Sequence, residues 1–215
     1  TQAGDELSVG APNANITITQ SVVDGNIVLT LTGNATKAEY QAVIDSITFK
    51  NTSENPTTDT RTITVTVNDG ALDSAAASTS VTVVPVNDAP TAINNGTGIS
   101  FTEGDAGTTL AGKVTIGDVD NDNLQSGKVT LVGTQTGDEL SVGSPNANIT
   151  VTSSVVDGNI VLTLTGNATK AEYQALIDSI TFKNTSDNPT TNDRSITVTV
   201  NDGALNSAAS STAVT

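Results

Sequence analysis

The feature that most constrains this chain is that it contains nearly the same sequence twice. Thr1 to Thr82 aligns without a gap on Thr134 to Thr215, an offset of 133 residues, with twelve mismatches in 82 positions. Ile18/Val151, Val43/Leu176, Glu54/Asp187 and Asp73/Asn206 are among them, and most of the twelve keep size or polarity. A period of 133 is far too long for a solenoid unit and suits an autonomous domain in a tandem array. The joint between the copies is Val86-Asn87-Asp88-Ala89-Pro90. Pro90 fixes its own φ and drives Ala89 toward an extended conformation, so the segment reads as a short, stiff connector. Residues 1–86 are then the C-terminal part of a first repeat, and residues 87–215 a second, nearly complete one. The first copy lacks counterparts of residues 83–133. It is therefore either an incomplete domain with an exposed sheet edge or one that takes a strand from a neighbour.

Within a repeat, short apolar alternations predict strands. Ile16-Thr17-Ile18-Thr19 leads through Val22-Val23 to Asp24-Gly25-Asn26 and then to Ile27-Val28-Leu29-Thr30-Leu31-Thr32. An Asp-Gly turn between alternating residues is a hairpin signal, and Asp157-Gly158 repeats it. Ile27, Leu29 and Leu31 are expected to face inward, with Thr30 and Thr32 toward water. Thr36-Lys37-Ala38-Glu39 reads as a capping box opening a short helix through Ala42 and Ile44. Tyr40 and Tyr173 read as core residues, and Phe49 as a buried position in a strand over Ser46 to Asn51. Ile63, Val65 and Val67 alternate with Thr in a strand that runs to Asn68-Asp69-Gly70, and a last strand spans roughly Ala76 to Val84. After the joint come Ile99 to Gly104, a strand around Val114-Thr115-Ile116, and another at Lys128 to Val132. Many short strands with turns every 8–12 residues or so, and one short helix per repeat, predict an all-β fold of tandem antiparallel β-sandwiches.

Charge and composition narrow the chemistry. The 215 residues carry 23 acidic and 8 basic side chains, a net charge of −15, which argues against nucleic acid or an anionic membrane as partner and favours cations. Cys and His are both absent, so the usual zinc, copper, haem and iron–sulfur sites have no ligands here. Oxygen donors alone leave hard cations, calcium foremost. No run approaches the ~20 apolar residues of a membrane span, and the first residues do not read as a signal peptide.

The densest set of oxygen donors is Gly117-Asp118-Val119-Asp120-Asn121-Asp122-Asn123. Alternate spacing lets one loop turn several carboxylates toward one point, which is costly unless a cation neutralises them. The EF-hand template fails here, because Asn123 stands where its glycine belongs and Val129 where its bidentate Glu belongs. A solvated Asx-rich turn is the competing reading.

These residues resemble the cadherin-like repeats of very large bacterial surface adhesins. Asp118-Val119-Asp120 followed by Asn123 is similar to the cadherin Asp-x-Asp motif. Asn201-Asp202-Gly203, closing a Val-Thr-Val strand, resembles that family's late Asp. Val86 to Pro90 resembles its interdomain linker, and Glu103 its early Glu at the far end of the module. An Asp-Arg-Glu equivalent is not evident, with Glu54 and Asp59 the nearest candidates, and the linker is poorer in acidic residues than the eukaryotic pattern. The resemblance implies an Ig-like, cadherin-like Greek-key sandwich with calcium between consecutive domains, at fewer ions per joint. Carried over residue by residue, it implies one nearly complete joint of Asn87, Asp88, Asp118, Asp120 and Asp202. Asp122 lies in the same loop, and Glu103 and Asp69 belong to the next and previous joints.

The expected function is therefore a non-catalytic, calcium-rigidified extender of a secreted or cell-surface adhesin, whose partners are neighbouring repeats of the same chain. Glycan binding and homotypic self-assembly are the alternatives, with neither nucleic acid nor membrane insertion expected. Asp5-Glu6 and Asp138-Glu139 do not read as a glycosidase acid pair, since adjacent strand residues point to opposite faces. Without histidine there is no Ser/His/Asp apparatus, and no glycine-rich phosphate cradle precedes a helix.

Overall fold

The two Asp-Gly turns carry the conformation that a tight hairpin requires. Asp24 and Gly25 have φ of 50° and 76°, and Asp157 and Gly158 have φ of 49° and 79°, so both central residues are left-handed as in a type I′ turn. The computed structural model describes all 215 residues and divides them into two compact units, Thr1–Val86 and Asn87–Thr215.

In the first unit the elements are β1 (Asp5–Val9), β2 (Thr17–Val23), β3 (Asn26–Thr32), α1 (Lys37–Asp45), β4 (Ile47–Asn51), β5 (Arg61–Val65) and β6 (Ala77–Val81). They form three separate two-stranded antiparallel sheets, β1-β4, β2-β3 and β5-β6. The second unit holds β7 (Thr91–Asn94), β8 (Thr108–Thr109), β9 (Val114–Gly117), β10 (Asn123–Val132), β11 (Asp138–Val142) and β12 (Thr150–Val156). These are followed by β13 (Asn159–Thr169), α2 (Lys170–Asp178), β14 (Ile180–Asn184), β15 (Arg194–Asn201) and β16 (Ser210–Val214). Here the strands gather into a five-stranded sheet ordered β12-β13-β10-β15-β16, a three-stranded sheet β11-β14-β8, and the pair β7-β9. All of these ladders are antiparallel. The chain is all-β apart from the two nine-residue helices.

Each helix begins where its capping box predicts. Thr169 Oγ1 accepts from Glu172 N–H at 3.2 Å, and Glu172 Oε2 accepts from Thr169 N–H at 2.9 Å. Thr36 and Glu39 repeat this in the first unit. The box satisfies two of the N–H groups that a helix start leaves unpaired.

The main core belongs to the second unit. Leu124, Val129 and Leu131 of β10 pack with Leu162 and Leu164 of β13, Ile196, Val198 and Val200 of β15, and Tyr173, Leu176 and Ile177 of α2. Burying each aliphatic side chain contributes roughly 1.5–3 kcal/mol. Tyr173 is fully buried with its hydroxyl donating to Gly166 O at 2.7 Å, so it costs no unpaired polar group. Gly127 lies opposite it, where a Cβ would come within 3.6 Å of Tyr173 Cε1 and 3.3 Å of Thr199 O.

The same residues in the first unit are less covered than the sequence predicts. Phe49, Tyr40, Leu29, Leu31, Ile63 and Val65 are only half-buried, and Val67, expected to alternate inward, is 47% exposed against 1% for its counterpart Val200. The reason is topological. Their counterparts are covered by β10 and the elements around it, which residues 1–86 do not contain. Val43 and Ile16 are the buried apolar residues of this unit. The last strand is also shorter than expected, ending at Val81.

Candidate metal centre

Two strand pairings bring distant acidic residues to one end of the second unit. Antiparallel pairing of β7 with β9 sets Thr91 opposite Gly117, so the connector before β7 lies beside the acidic loop after β9. Pairing of β10 with β15 sets Ser126 opposite Asn201, which brings Asp202 to the same end. Pro90 is buried while Asn87 and Asp88 remain exposed, so the connector is anchored by its proline.

The acidic loop is a locally hydrogen-bonded turn. Asp118 Oδ1 accepts from the N–H groups of Asp120 and Asn121, both at 2.9 Å. Lys170 pins the loop to the start of α2: its Nζ donates to Asp118 O at 2.7 Å and its N–H donates to Asp122 O at 3.0 Å. The turn after β15 has the same design, with Asp202 Oδ1 accepting from Ala204 and Leu205 N–H, both at 2.7 Å. Gly203 follows at φ +109°, close against Gln125, where a Cβ would come within 2.9 Å of Cγ.

Asn87 ties these pieces together. Its Oδ1 accepts from Asn121 Nδ2 at 2.7 Å, and its Nδ2 donates to Asp202 Oδ2 at 2.8 Å. The Asp88 N–H donates to Asp120 Oδ2. Burial pushes the Asp202 carboxyl up, but hydrogen bonds from Asn87 and from the Leu205 and Ala204 backbone outweigh it and hold the group below its ordinary value.

Of the predicted ligands, Asn87, Asp88, Asp118, Asp120 and Asp202 are thus linked in one hydrogen-bonded group, together with Asn121. Asp122 does not join them. Its side chain is fully exposed and its Oδ1 lies 3.8 Å from Lys170 Nζ, so it screens a lysine instead. Glu103 stands elsewhere, lining a cleft with Asp105, Lys183 and Asp187. That cleft adjoins Asn184, which meets Asp138 and, through it, Arg194 at the start of β15, whereas Asp202 follows the end of β15. Eight extended residues separate those ends by roughly 25 Å. Asp69 belongs to the first unit, where its Oδ1 accepts from Ala71 and Leu72 N–H at 2.9 and 3.0 Å in the same turn as Asp202.

The carboxylates do not gather three or more around one point. Like charges repel, and here amide donors from Asn87 and Asp88 are interposed between them. One atom nevertheless fits a cation. Asp118 Oδ2 is shielded from solvent with no hydrogen-bond donor, and a carboxylate oxygen left so is costly. The loop and the connector carry carboxylate and carboxamide oxygens, the chemistry that calcium takes. Asn87 and Asn121 form part of the group through their side-chain amides. Asn87 was legible from the connector, whereas the role of Asn121 shows only once the loop is folded.

No family model, no curated protein and no solved structure matches the chain.

Proposed function

We propose that the chain consists of extender modules of a secreted or cell-surface adhesin, folded as cadherin-like β-sandwiches and stiffened by calcium at the joint between repeats. The observation that carries the reading is Asn87, which joins the connector to both the acidic loop and the Asp202 turn. The five- and three-stranded sheets of the second unit enclose one core, as two sheets of a sandwich do. The near-identity of the copies agrees with tandem assembly.

In this reading an ion draws the carboxylates of Asp118, Asp120, Asp88 and Asp202 together, which stand apart without it, with Asn87 fixing the connector beside them. Calcium would supply charge neutralisation for Asp118 Oδ2 and its neighbours. The protein's own contribution is to immobilise Asn87 and Asp88 against the body of the second unit, which removes rotational freedom from the segment between repeats. The role is structural and non-catalytic, with neighbouring repeats as the partners.

The glycan alternative finds less support. Sugar platforms use exposed aromatic rings, whereas Tyr173 and Phe182 are buried, Phe101 packs edge-on against Phe182 at 5.6 Å, and Tyr40 and Phe49 are half-buried. The test of the calcium reading is thermal melting and small-angle scattering with calcium and with EGTA. The expected result is a higher melting temperature and a narrower distribution of shapes with calcium; identical curves would sink the mechanism.

A further inference from the structure

The five-stranded sheet of the second unit has two edges, and only one of them is covered. Along β16 the chain returns at Ile99. Its N–H donates to Ala213 O at 2.8 Å, its carbonyl accepts from Thr215 N–H at 2.9 Å, and Phe101 N–H donates to Thr215 O at 2.8 Å. β12, at the other edge, pairs with β13 over all seven of its residues and has no strand on its outer side. The two-residue turn at Asp157-Gly158 makes Val156 and Asn159 a hydrogen-bonded pair. Alternation from there turns the N–H and C=O groups of Val151, Ser153 and Val155 outward, where they have no partner in the chain.

Natural sheets blunt such an edge with lysine, proline, a bulge or a cover. Thr150-Val151-Thr152-Ser153-Ser154-Val155-Val156 has no charge, no proline and no shift of register. It ends in two exposed valines, Val155 at 71% and Val156 at 50%, while Val151, on the same face as Val155, packs against the core. β12 stands in the middle of the second unit's sequence, with its turn and its partner strand complete. The first unit repeats the design in β2, where Val22 and Val23 are 70% and 50% exposed.

The strand is complementary to itself. Turned antiparallel about a twofold axis at Ser153, it sets Ser153 opposite Ser153 and Val151 opposite Val155, the three residues whose backbone groups point outward. These facing pairs close every open N–H and C=O, and each exposed Val155 comes to lie against Val151 of the second copy. Thr152 then faces Ser154 and Thr150 faces Val156, so no charged side chain meets another. Charge selects the direction as well. Antiparallel pairing puts the two Asp157 at opposite ends, roughly 25 Å apart and well beyond the ~8 Å screening length. Parallel pairing sets them side by side, in a chain of net charge −15. We propose that β12 is a self-pairing edge, at which a second copy of the chain adds its own β12 about Ser153 and continues the sheet. Calcium plays no part in this pairing.

The experiment concentrates the full 215-residue chain and follows its mass by sedimentation equilibrium and its amide exchange by NMR. β2 and β12 differ at Ile18/Val151 and Gln20/Ser153, which separates their signals. The expected result is reversible, concentration-dependent association in which the amides of Val151, Ser153 and Val155 exchange about tenfold more slowly. Those of Thr152 and Ser154, already bonded to β13, are expected to change little. Ser153→Lys combined with Gln20→Lys sets like charges face to face and is expected to weaken association at least about fivefold. Ser153→Glu combined with Gln20→Glu is expected to do the same, and mixing the two variant chains to restore association. Both positions are exposed, so the variants keep the fold. A chain that stays monomeric up to about 1 mM overturns the proposal. So does association that leaves exchange at β12 unchanged, that the lysine variant does not weaken, or that mixing does not restore, since each places the contact on another surface.

Discussion

Arg194 Nε lies 2.7 Å from Asp138 Oδ2, and 133 residues earlier Arg61 Nε lies 3.2 Å from Asp5 Oδ2. Each pair is out of solvent, with side-chain exposures of 7% and 0% in the second unit and 5% and 1% in the first. Arg194 Nη1 also donates to Thr190 O and Asn192 O, and Asn184 Nδ2 donates to Asp138 Oδ1 at 2.7 Å. One buried ion pair thus holds together β11, β14 and the loop that enters β15.

Removing one partner of such a pair leaves a buried charge unanswered. Arg194→Met is therefore expected to lower the stability of the second unit by about 3–5 kcal/mol in denaturant unfolding. The double variant Asp138→Leu with Arg194→Met is expected to recover much of that loss. A single variant within about 1 kcal/mol of the parent would show that the pair is not what holds these strands.

The repeat supplies an internal control for burial. Ile196→Ala removes a side chain at 0% exposure and is expected to cost about 2–5 kcal/mol. Ile63→Ala makes the same change at a half-buried copy and is expected to cost about half as much or less. Separate unfolding transitions for the two units, followed in each variant, check the ratio; equal costs would contradict the difference in packing.

Local chemistry was legible in the sequence, and pairing between distant residues was not. The Asp24-Gly25 and Asp157-Gly158 hairpins and both capping boxes depend on residues no more than four apart, and they fold as read. Strand alternation also predicted that Asp138 and Glu139 face opposite ways, and Asp138 is buried while Glu139 is exposed. The Asp138–Arg194 pair spans 56 residues without a local pattern, yet the same spacing in Asp5 and Arg61 was a usable signal. β7 was not foreseen, because four residues that follow a proline carry little periodicity. Asp122 stands outside the hydrogen-bonded group because alternate spacing puts it in the loop, while its neighbour Lys170 is set by the tertiary fold. The shallow burial of Phe49 and Val67 follows from residues 1–86 holding no counterpart of β10, which the repeat alignment indicates although strand alternation does not.

Acid is expected to weaken α2 before it reaches the core. Glu172 accepts from Thr169 N–H and from Asn148, and these bonds hold its carboxyl down at about 2 from an ordinary 4.5. A carboxyl depressed in the folded state stabilises it fully above the unfolded value, so this contribution is lost as the pH falls from about 4.5 toward 2. Carboxyl NMR titration should place the Glu172 midpoint near 2, and Asn148→Ala should raise it. A midpoint at 4.5 in the parent chain would rule out this cap as a source of acid sensitivity.

The calcium reading separates two aspartates four residues apart. Asp118→Asn keeps an oxygen able to accept from the N–H groups of Asp120 and Asn121, so the turn survives while the negative charge beside the orphaned Oδ2 is lost. Asp122→Asn removes the same formal charge from an exposed side chain that faces Lys170. Calcium at about a hundred times its dissociation constant would stabilise the second unit by about 2.7 kcal/mol, a rise of several degrees in melting temperature for a domain of this size. Asp118→Asn is expected to abolish most of that rise, and Asp122→Asn to leave it in place. Calorimetry of both variants with calcium and with EGTA makes the comparison. If the two behave alike, the response comes from overall charge, and the connector at Asn87 and Asp88 is held by its hydrogen bonds alone.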